Sequence, residues 1–154
     1  MTITLASIEA EHARISALIE QFKKQPAATE LRIPSVTIPL AAGERLAGAI
    51  LNGDGTVAHY VILMPGDADE VNWQSAKEWA AEQGGELPTR REQSLLFTNL
   101  RDAFESAWYW SAESHESNSG WAWCQDFYDG TQSYDLQGHE FRARAVRRFI
   151  PSVI

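Results

Sequence analysis

A chain of 154 residues with ordinary apolar and charged fractions is long enough for one domain and a short appendage. Its net charge of -8 excludes the broad positive surface that non-specific nucleic-acid binding requires, so we expect no nucleic acid among its partners. Cys124 is the only cysteine, which excludes an intrachain disulfide and argues against a thiolate zinc site.

The hydrophobic pattern along the chain predicts no membrane span and no leader. No apolar run reaches the length of about 18 residues that a membrane helix needs. The first residues lack the basic and long apolar regions of a secretory signal. We therefore expect the chain to be cytoplasmic as synthesised.

The first segment, Thr4 to Lys24, is predicted to form an amphipathic helix with a heptad seam. Two interpretations of the seam stay open, because three heptads are marginal for a lone helix. The helix packs on its own domain, or it joins copies of the chain into a homo-oligomer. The six seam residues are Leu5, Ile8, His12, Ile15, Ile19 and Phe22.

Three segments are predicted along the chain. Residues 1–25 form the coiled-coil helix, residues 26–42 form an extended linker or arm, and residues 43–154 form the compact domain. Pro26 ends the helix, while Pro34 and Pro39 restrict the arm to edge-strand or extended conformations. Such an arm can lie across a neighbouring subunit.

The compact domain is predicted to begin with a β-hairpin. Strand Arg45 to Leu51 leads into the turn residues 52–55, whose glycines accept positive φ, and the return strand is His59 to Met64. A polar loop, Pro65 to Glu70, follows. The first helix, Trp73 to Gln83, is capped by Asn72 or the residue before it and stops at Gly84.

A second helix is predicted to start at Thr89, with Glu92 completing a capping box. Three strands broken by polar turns follow, at residues 108–111, 120–127 and 140–149. The order of hairpin, two helices and strands predicts an α+β domain preceded by the N-terminal helix. We expect the last strand to pair with the first.

Tryptophan is concentrated in this domain, with five of the six residues between Trp79 and Trp123. Alternation along a strand places Trp121 and Trp123 on one face. We expect Trp110 and Trp123 in the core, and Trp108 and Trp121 nearer the turns and more exposed.

Five short sequence elements follow one another along the domain. They are Asn72-Trp73, Gly84 to Glu92, Trp108 to Glu113, Ala122 to Phe127 with Asp129-Gly130, and Arg144 to Arg148. In this order they resemble a bacterial and phage family with the C-type-lectin fold, typified by the C-terminal domain of a collagen-like adhesin. The family is related in fold to formylglycine-generating sulfatase-modifying factors and to phage variable tropism proteins. The resemblance covers about residues 43–149 and implies a C-type-lectin-like scaffold, a phage or prophage origin and no particular activity.

Polar and aromatic residues after the second helix form the candidate ligand surface. Loops on a rigid scaffold commonly carry binding, and tyrosine among small polar residues is typical of paratopes. The alternative is that these loops are merely solvated. The candidates are Trp108, Glu113, His115, Asn118, Trp121, Asp126, Tyr128, Asp129 and Tyr134.

The spacing of cysteine, histidine and acidic residues along the sequence does not indicate a catalytic or metal site. Cys124 lacks the second cysteine that the formylglycine-generating relatives use, and the four histidines lack metal-ligand spacing. The calcium-binding signatures of lectins are missing. We expect no catalytic residue, no metal and no cofactor. The arginines of the last strand, residues 142–148, are expected to pair with carboxylates.

These patterns predict a non-enzymatic binding module, encoded by a phage or prophage, that presents its loop surface to a protein or glycan ligand as an oligomer. Two alternatives remain open. One is an intracellular phage regulator that binds and blocks a host protein. The other is a structural component of the virion, which would place the chain in a phage particle.

Overall fold

The computed structural model describes residues 2–152, so the outermost ends of the first and last predicted segments, residues 1 and 153–154, lie outside it. The chain divides into two compact units, residues 1–32 and residues 33–154. The boundary between the units falls inside the predicted linker.

Unit 1 contains one helix, α1, at Leu5–Lys23. Thr4 caps it, since its hydroxyl accepts a hydrogen bond from the Ser7 N–H at 3.2 Å. This confirms the predicted helix. The ion pairs Glu11–Arg14 and Glu20–Lys23 lie off the seam. The apolar seam residues are exposed, and Leu18 beside them widens the apolar face.

Unit 2 is an α+β domain with two helices and two mostly antiparallel sheets. Strands β1 (Arg45–Leu51) and β2 (Val57–Leu63) form the predicted hairpin. Strand β3 is Ala68–Val71, and helix α2 is Trp73–Glu82. Helix α3 is Arg90–Leu100, followed by a short 3-10 turn at Arg101–Ala103. The remaining strands are β4 (Trp108–Ser114), β5 (Trp121–Asp126), β6 (Gln132–Leu136), β7 (Phe141–Ala143) and β8 (Val146–Phe149).

The smaller sheet has the order β1-β2-β8, and the larger has the order β3-β7-β4-β5-β6. The last strand therefore pairs with β2, so the prediction that it pairs with the first strand is wrong. Strand β2 takes the central position because Val61, Ile62 and Leu63 are almost wholly buried and need cover on both sides. Strand β1 carries a bulge near Gly48 and lies at the edge.

Two hydrophobic cores lie on opposite faces of the larger sheet. One core joins the hairpin and α3 to Tyr109 and Phe127. The other joins Ala76 and Ala80 of α2 to Trp110 and Cys124. The sheet is thus packed against α3 on one face and α2 on the other. The length of α3 determines how much of the sheet face beneath it stays uncovered.

A close backbone approach joins the connection between α2 and α3 to the smaller sheet. Glu86 pairs with Val146, the first residue of β8. A Cβ added to Gly85 would lie 2.6 Å from the Val146 carbonyl oxygen, so only glycine fits there. The predicted helix stop at this place serves both to end α2 and to admit β8.

Candidate functional site

The N-terminus of α3 is held by a reciprocal cap. The Thr89 hydroxyl accepts from the Glu92 N–H at 3.2 Å, and Glu92 Oε1 accepts from the Thr89 N–H at 2.8 Å. This confirms the predicted capping box. The first turn of α3 is therefore fixed in place, and Arg90 and Arg91 project from a rigid helix end.

Glu92 also anchors α3 to the smaller sheet. Both of its oxygens accept from Arg148 at 2.8 Å, and Oε2 lies 2.8 Å from His59 Nε2. Its side chain is 0% exposed. Burial alone would raise the pKa of Glu92, but the hydrogen bonds from Arg148, the Thr89 N–H and His59, with the charge of Arg148, lower that pKa to about 2. Glu92 is therefore an anion at neutral pH.

Beyond the N-terminus of α3, one face of the larger sheet carries four aromatic side chains that contact one another. We call His115, Trp121, Trp123 and Tyr134 the aromatic cluster. His115 stacks on Trp123 with ring centroids 5.6 Å apart, and Tyr134 meets His115, Trp121 and Trp123 edge-on at 4.4, 5.7 and 5.2 Å. The contacts fix the rings without burying them, since Tyr134 is 42% exposed.

The cluster is open because α3 covers only the other half of that face. Trp121, Trp123 and Gln125 alternate along β5, so they share the face. Gln125 is buried beneath α3, donating to the Gln93 carbonyl at 3.1 Å. The helix begins at Arg90, and no helix covers the sheet beyond it in the part of the chain that the structure describes.

Arg90 joins the helix end to the aromatic cluster. Its guanidinium lies 3.4 Å from the centre of the Trp123 ring, and its Nε donates to Gln132 Oε1 at 3.1 Å. Gln132 in turn donates to Gln125 Oε1 at 2.8 Å. This chain of amides runs from the core to the surface and holds the Arg90 side chain in one orientation.

An open cleft of about 520 Å³ lies beside the cluster, between α3, the hairpin and the larger sheet. Arg91 donates to the Leu51 carbonyl at 3.0 Å across the cleft, and Glu113 Oε2 accepts from the Arg90 N–H at 2.7 Å. We call this space the α3 cleft. Its lining residues are Ile50, His59, Thr89, Arg90, Arg91, Ser94, Glu113 and Gln132.

The structure brings five of the nine predicted ligand-surface residues to this region. His115, Trp121 and Tyr134 belong to the aromatic cluster, and Glu113 lines the cleft. The Asn118 N–H donates to His115 Nδ1 at 3.1 Å, as does the N–H of Ser117, so Nδ1 is the acceptor and His115 in its neutral form carries its proton on Nε2.

The other four predicted residues lie at the opposite end of the sheet. Trp108 pairs with Asp126, whereas Trp121 pairs with Leu136. The five-residue step from Trp121 to Asp126 separates the ends by roughly 17 Å. Asp126 and Asp129 accept backbone N–H groups of the β5–β6 turn at 2.9 Å, and exposed Tyr128 lies in that turn.

Two tryptophan predictions have different outcomes. Trp110 is wholly buried and donates to the Val71 carbonyl at 2.9 Å, as expected for a core residue. Trp123 was also expected in the core, and this prediction is wrong because α3 begins at Arg90 and its later turns do not cover Trp123. Trp123 is half-buried in the aromatic cluster, with its indole N–H donating to Glu116 at 3.0 Å.

Three of the four arginines of residues 142–148, namely Arg142, Arg147 and Arg148, pair with carboxylates as predicted. Arg142 lies 3.2 and 3.4 Å from Asp67 and Asp69, and Arg147 lies 2.7 Å from Glu44. Arg144 instead donates to the Ala103 and Met64 carbonyls at 2.5 and 2.9 Å. These contacts join β7 and β8 to the rest of the domain, so the arginines of residues 142–148 stabilise the fold.

The nine candidates predicted from the sequence leave out four residues that the fold adds to this region: His59, Arg90, Arg91 and Gln132. Arg90 and Arg91 follow the predicted cap Thr89, so their place at a helix end could have been found. Gln132 lies in a segment predicted to be a turn and loop, and His59 reaches the cleft only through hairpin register.

No protein-family model matches the sequence, and no curated protein matches it. Within residues 2–152, no three His, Cys, Asp or Glu side chains are grouped so that they could hold a metal ion. No helix there combines the length and apolar character that crossing a membrane requires.

Proposed function

We propose that unit 2 is a non-enzymatic binding module with a C-type-lectin-like fold, and that it presents the aromatic cluster and the α3 cleft to a protein or glycan ligand. The order of hairpin, two helices and antiparallel strands, with the last strand returning to the hairpin, supports that fold. The resemblance to phage and bacterial adhesin-like domains supports a phage or prophage origin.

The aromatic cluster is the observation that carries the proposal. Trp121 and Tyr134 keep part of their surface exposed, although aromatic side chains gain most from burial. Their mutual contacts and the Arg90–Trp123 stack hold them in place, so a ligand would meet a preformed surface and lose little entropy in ordering it. Aromatic residues and arginine are the types that carry most binding energy in interfaces.

The chemistry of the reactive residues supports a non-enzymatic role. Burial, with the nearby charge of Asp135, raises the pKa of Cys124 to about 12, so its sulfur is a neutral thiol and a poor nucleophile at neutral pH. His59 is engaged by the buried Glu92 carboxylate, which works as an anchor for α3.

The N-terminal helix would make the module multivalent. The exposed apolar seam of α1 from Leu5 to Phe22 fits a helix of a second copy, and the charged residues of the helix lie off the seam. Linking several copies raises the apparent affinity for a repetitive surface by orders of magnitude, about 10²–10⁴, without any new contact.

Removing the two exposed rings tests the binding surface. The full chain and the variant W121A/Y134A would be applied to arrays of defined oligosaccharides and of defined peptides. We expect the wild type to bind members of one array and the double variant to bind them at least about tenfold more weakly, because two stacking surfaces are lost.

Tyr128→Ala is the matched control, since it removes an exposed aromatic ring from the far end of the sheet. It should bind like the wild type. Equal binding by W121A/Y134A, or no binding by the wild type to either array, would overturn the proposal.

A further inference from the structure

We propose that the α3 cleft binds the carboxylate of an acidic sugar residue, and that the adjoining sugar ring lies on Trp121 and Tyr134 of the aromatic cluster. The inference rests on the proposed function and names the ligand chemistry of the same surface. Its basis is the combination of arginines without ion pairs and neutral polar groups in the cleft with the partly exposed aromatic rings of the adjoining cluster.

The arginines of the cleft differ from most others in the domain. Arg45, Arg142, Arg147 and Arg148 each form an ion pair with a carboxylate. The guanidinium groups of Arg90 and Arg91 contact neutral acceptors, Gln132 Oε1 and the Leu51 carbonyl, and no ion pair is formed by either among the described residues. Within the described part of the chain, Arg101 and Arg144 also donate to backbone carbonyls only, so Arg90 and Arg91 differ from these two by lining the open cleft.

These contacts orient the two guanidinium groups before any ligand arrives. Each group uses one N–H on a fixed acceptor and keeps further donors for an incoming anion. A planar guanidinium suits a carboxylate because it offers two parallel hydrogen bonds. Pre-organisation of this kind lowers the entropy lost on binding.

Two carboxylates of the protein oppose the anion. Glu116 accepts from the Trp123 indole N–H at 3.0 Å, and its pKa is lowered chiefly by that hydrogen bond and in part by the charge of Arg90, so Glu116 lies near this guanidinium. Glu113 lines the cleft, and its Oε2 accepts from the Arg90 N–H at 2.7 Å. His59 also lines the cleft, but its imidazole faces the Glu92 carboxylate. A bound carboxylate would therefore be repelled by Glu113, which makes Glu113 a residue that weakens the affinity and whose neutralisation should strengthen binding.

The remaining lining groups favour a sugar over a peptide. Thr89 and Ser94 offer hydroxyl groups that match the hydroxyls of a sugar ring. Trp121 and Tyr134 offer flat apolar faces beside them, and the Trp121 indole N–H forms no hydrogen bond among the described residues. The volume of about 520 Å³ lies within the range of small-ligand sites, about 300–1,000 Å³.

The test is an array of oligosaccharides that contain N-acetylneuraminic, glucuronic or galacturonic acid, each beside its carboxyl-reduced counterpart. Reduction to the alcohol removes the charge and keeps the ring. We expect the full chain to bind at least one acidic member, and to bind its reduced counterpart at least about tenfold more weakly, since a charge-assisted bidentate contact is lost.

Variants of the same chain identify the side chains. Arg90→Met and Arg91→Met should each weaken binding of the acidic member several-fold or more, whereas Glu113→Gln should strengthen it, because the amide oxygen can still accept from the Arg90 N–H. Arg101→Met is the matched charge control. Arg101 follows the last residue of α3, roughly 16 Å along the helix from Arg90, and packs over Phe97.

The outcomes separate this inference from the proposed function. If reduced sugars bind as well as acidic ones, or if Arg90→Met and Arg91→Met bind like the wild type, the acidic-sugar inference is wrong. The proposed function survives that result when W121A/Y134A still abolishes binding. If only acidic peptides bind, the ligand is a protein and the sugar inference fails. If neither W121A/Y134A nor the two arginine variants change binding, both proposals are wrong.

Discussion

Replacing Arg148 with Met is expected to destabilise unit 2 by about 3–5 kcal/mol, the cost of leaving a buried charge without its partner. Glu92 is fully buried and receives two hydrogen bonds from Arg148, so the variant would strand the carboxylate between α3 and β8. The measurement is urea unfolding at pH 7, compared with the wild type. Arg45→Met is the matched control, because Arg45 pairs with Asp102 at the surface and should cost less than about 1 kcal/mol.

A second substitution shows that the stranded charge is the cause. The double variant R148M/E92Q removes the buried charge but keeps an amide oxygen for the Thr89 N–H. It should recover at least about 1–2 kcal/mol of the loss, since an uncharged buried group costs less than an unpaired carboxylate. If Arg148→Met costs no more than Arg45→Met, Glu92 does not anchor α3 in the way described.

The same carboxylate predicts the pH dependence of stability. The pKa of Glu92 is lowered from 4.5 to about 2 in the folded protein. Its contribution is therefore complete above the unfolded pKa of 4.5 and is lost as the pH falls from 4.5 toward 2. Linkage gives a loss on the order of 3 kcal/mol over that window. Glu92→Gln should remove this part of the acid sensitivity.

Replacing Ile15 with Asp is expected to convert an oligomer of the full chain into a monomer of 17.2 kDa. Ile15 lies at the middle of the α1 seam and is 48% exposed in the single chain, so a charge there would face its copies in the assembled helices. Burying that carboxylate among apolar side chains would cost several kcal/mol. Light scattering of the wild type and the variant at equal concentration measures the change.

Ala17→Asp is the matched control for the helix. It adds the same charge to α1 two residues away, at a position outside the heptad seam. It should leave the oligomer intact. A wild type that is already a monomer, or an Ala17→Asp variant that dissociates as fully as Ile15→Asp, would contradict assembly through the seam.

Local signals predicted much of the fold. Caps and turn residues act over three or four positions, so Thr89 with Glu92 and residues 52–55 revealed the second helix and the hairpin. The sequence did not predict strands β3 and β6. Strand β6, Gln132 to Leu136, lies at a sheet edge and has polar residues on both faces, so its sequence lacks the alternating pattern of a strand. The last strand run was predicted as one element, yet it divides into β7 and β8 in different sheets.

The candidate site could be predicted only in part, for a related reason. Composition pointed to the loop after β4 and to Trp121 and Tyr134, which the structure places together. Composition could not show that α3 begins at Arg90 and leaves Trp123 largely uncovered. Nor could it show that β5 places Asp126 far from Trp121. Those facts depend on strand register and helix length, which are set by packing across the domain.

Binding at the aromatic cluster and the α3 cleft is tested most directly by NMR, with the six indole N–H signals of the ¹⁵N-tryptophan-labelled full chain. Trp73 and Trp110 donate to buried carbonyls at 2.8 and 2.9 Å and should report only on the core. The chain would be titrated separately with 3′-sialyllactose and with a galacturonate trisaccharide. We expect at least one of them to shift the Trp121 and Trp123 signals while those of Trp73 and Trp110 stay unchanged. Six unchanged signals with both probes, or equal shifts in the core pair, would contradict this expectation.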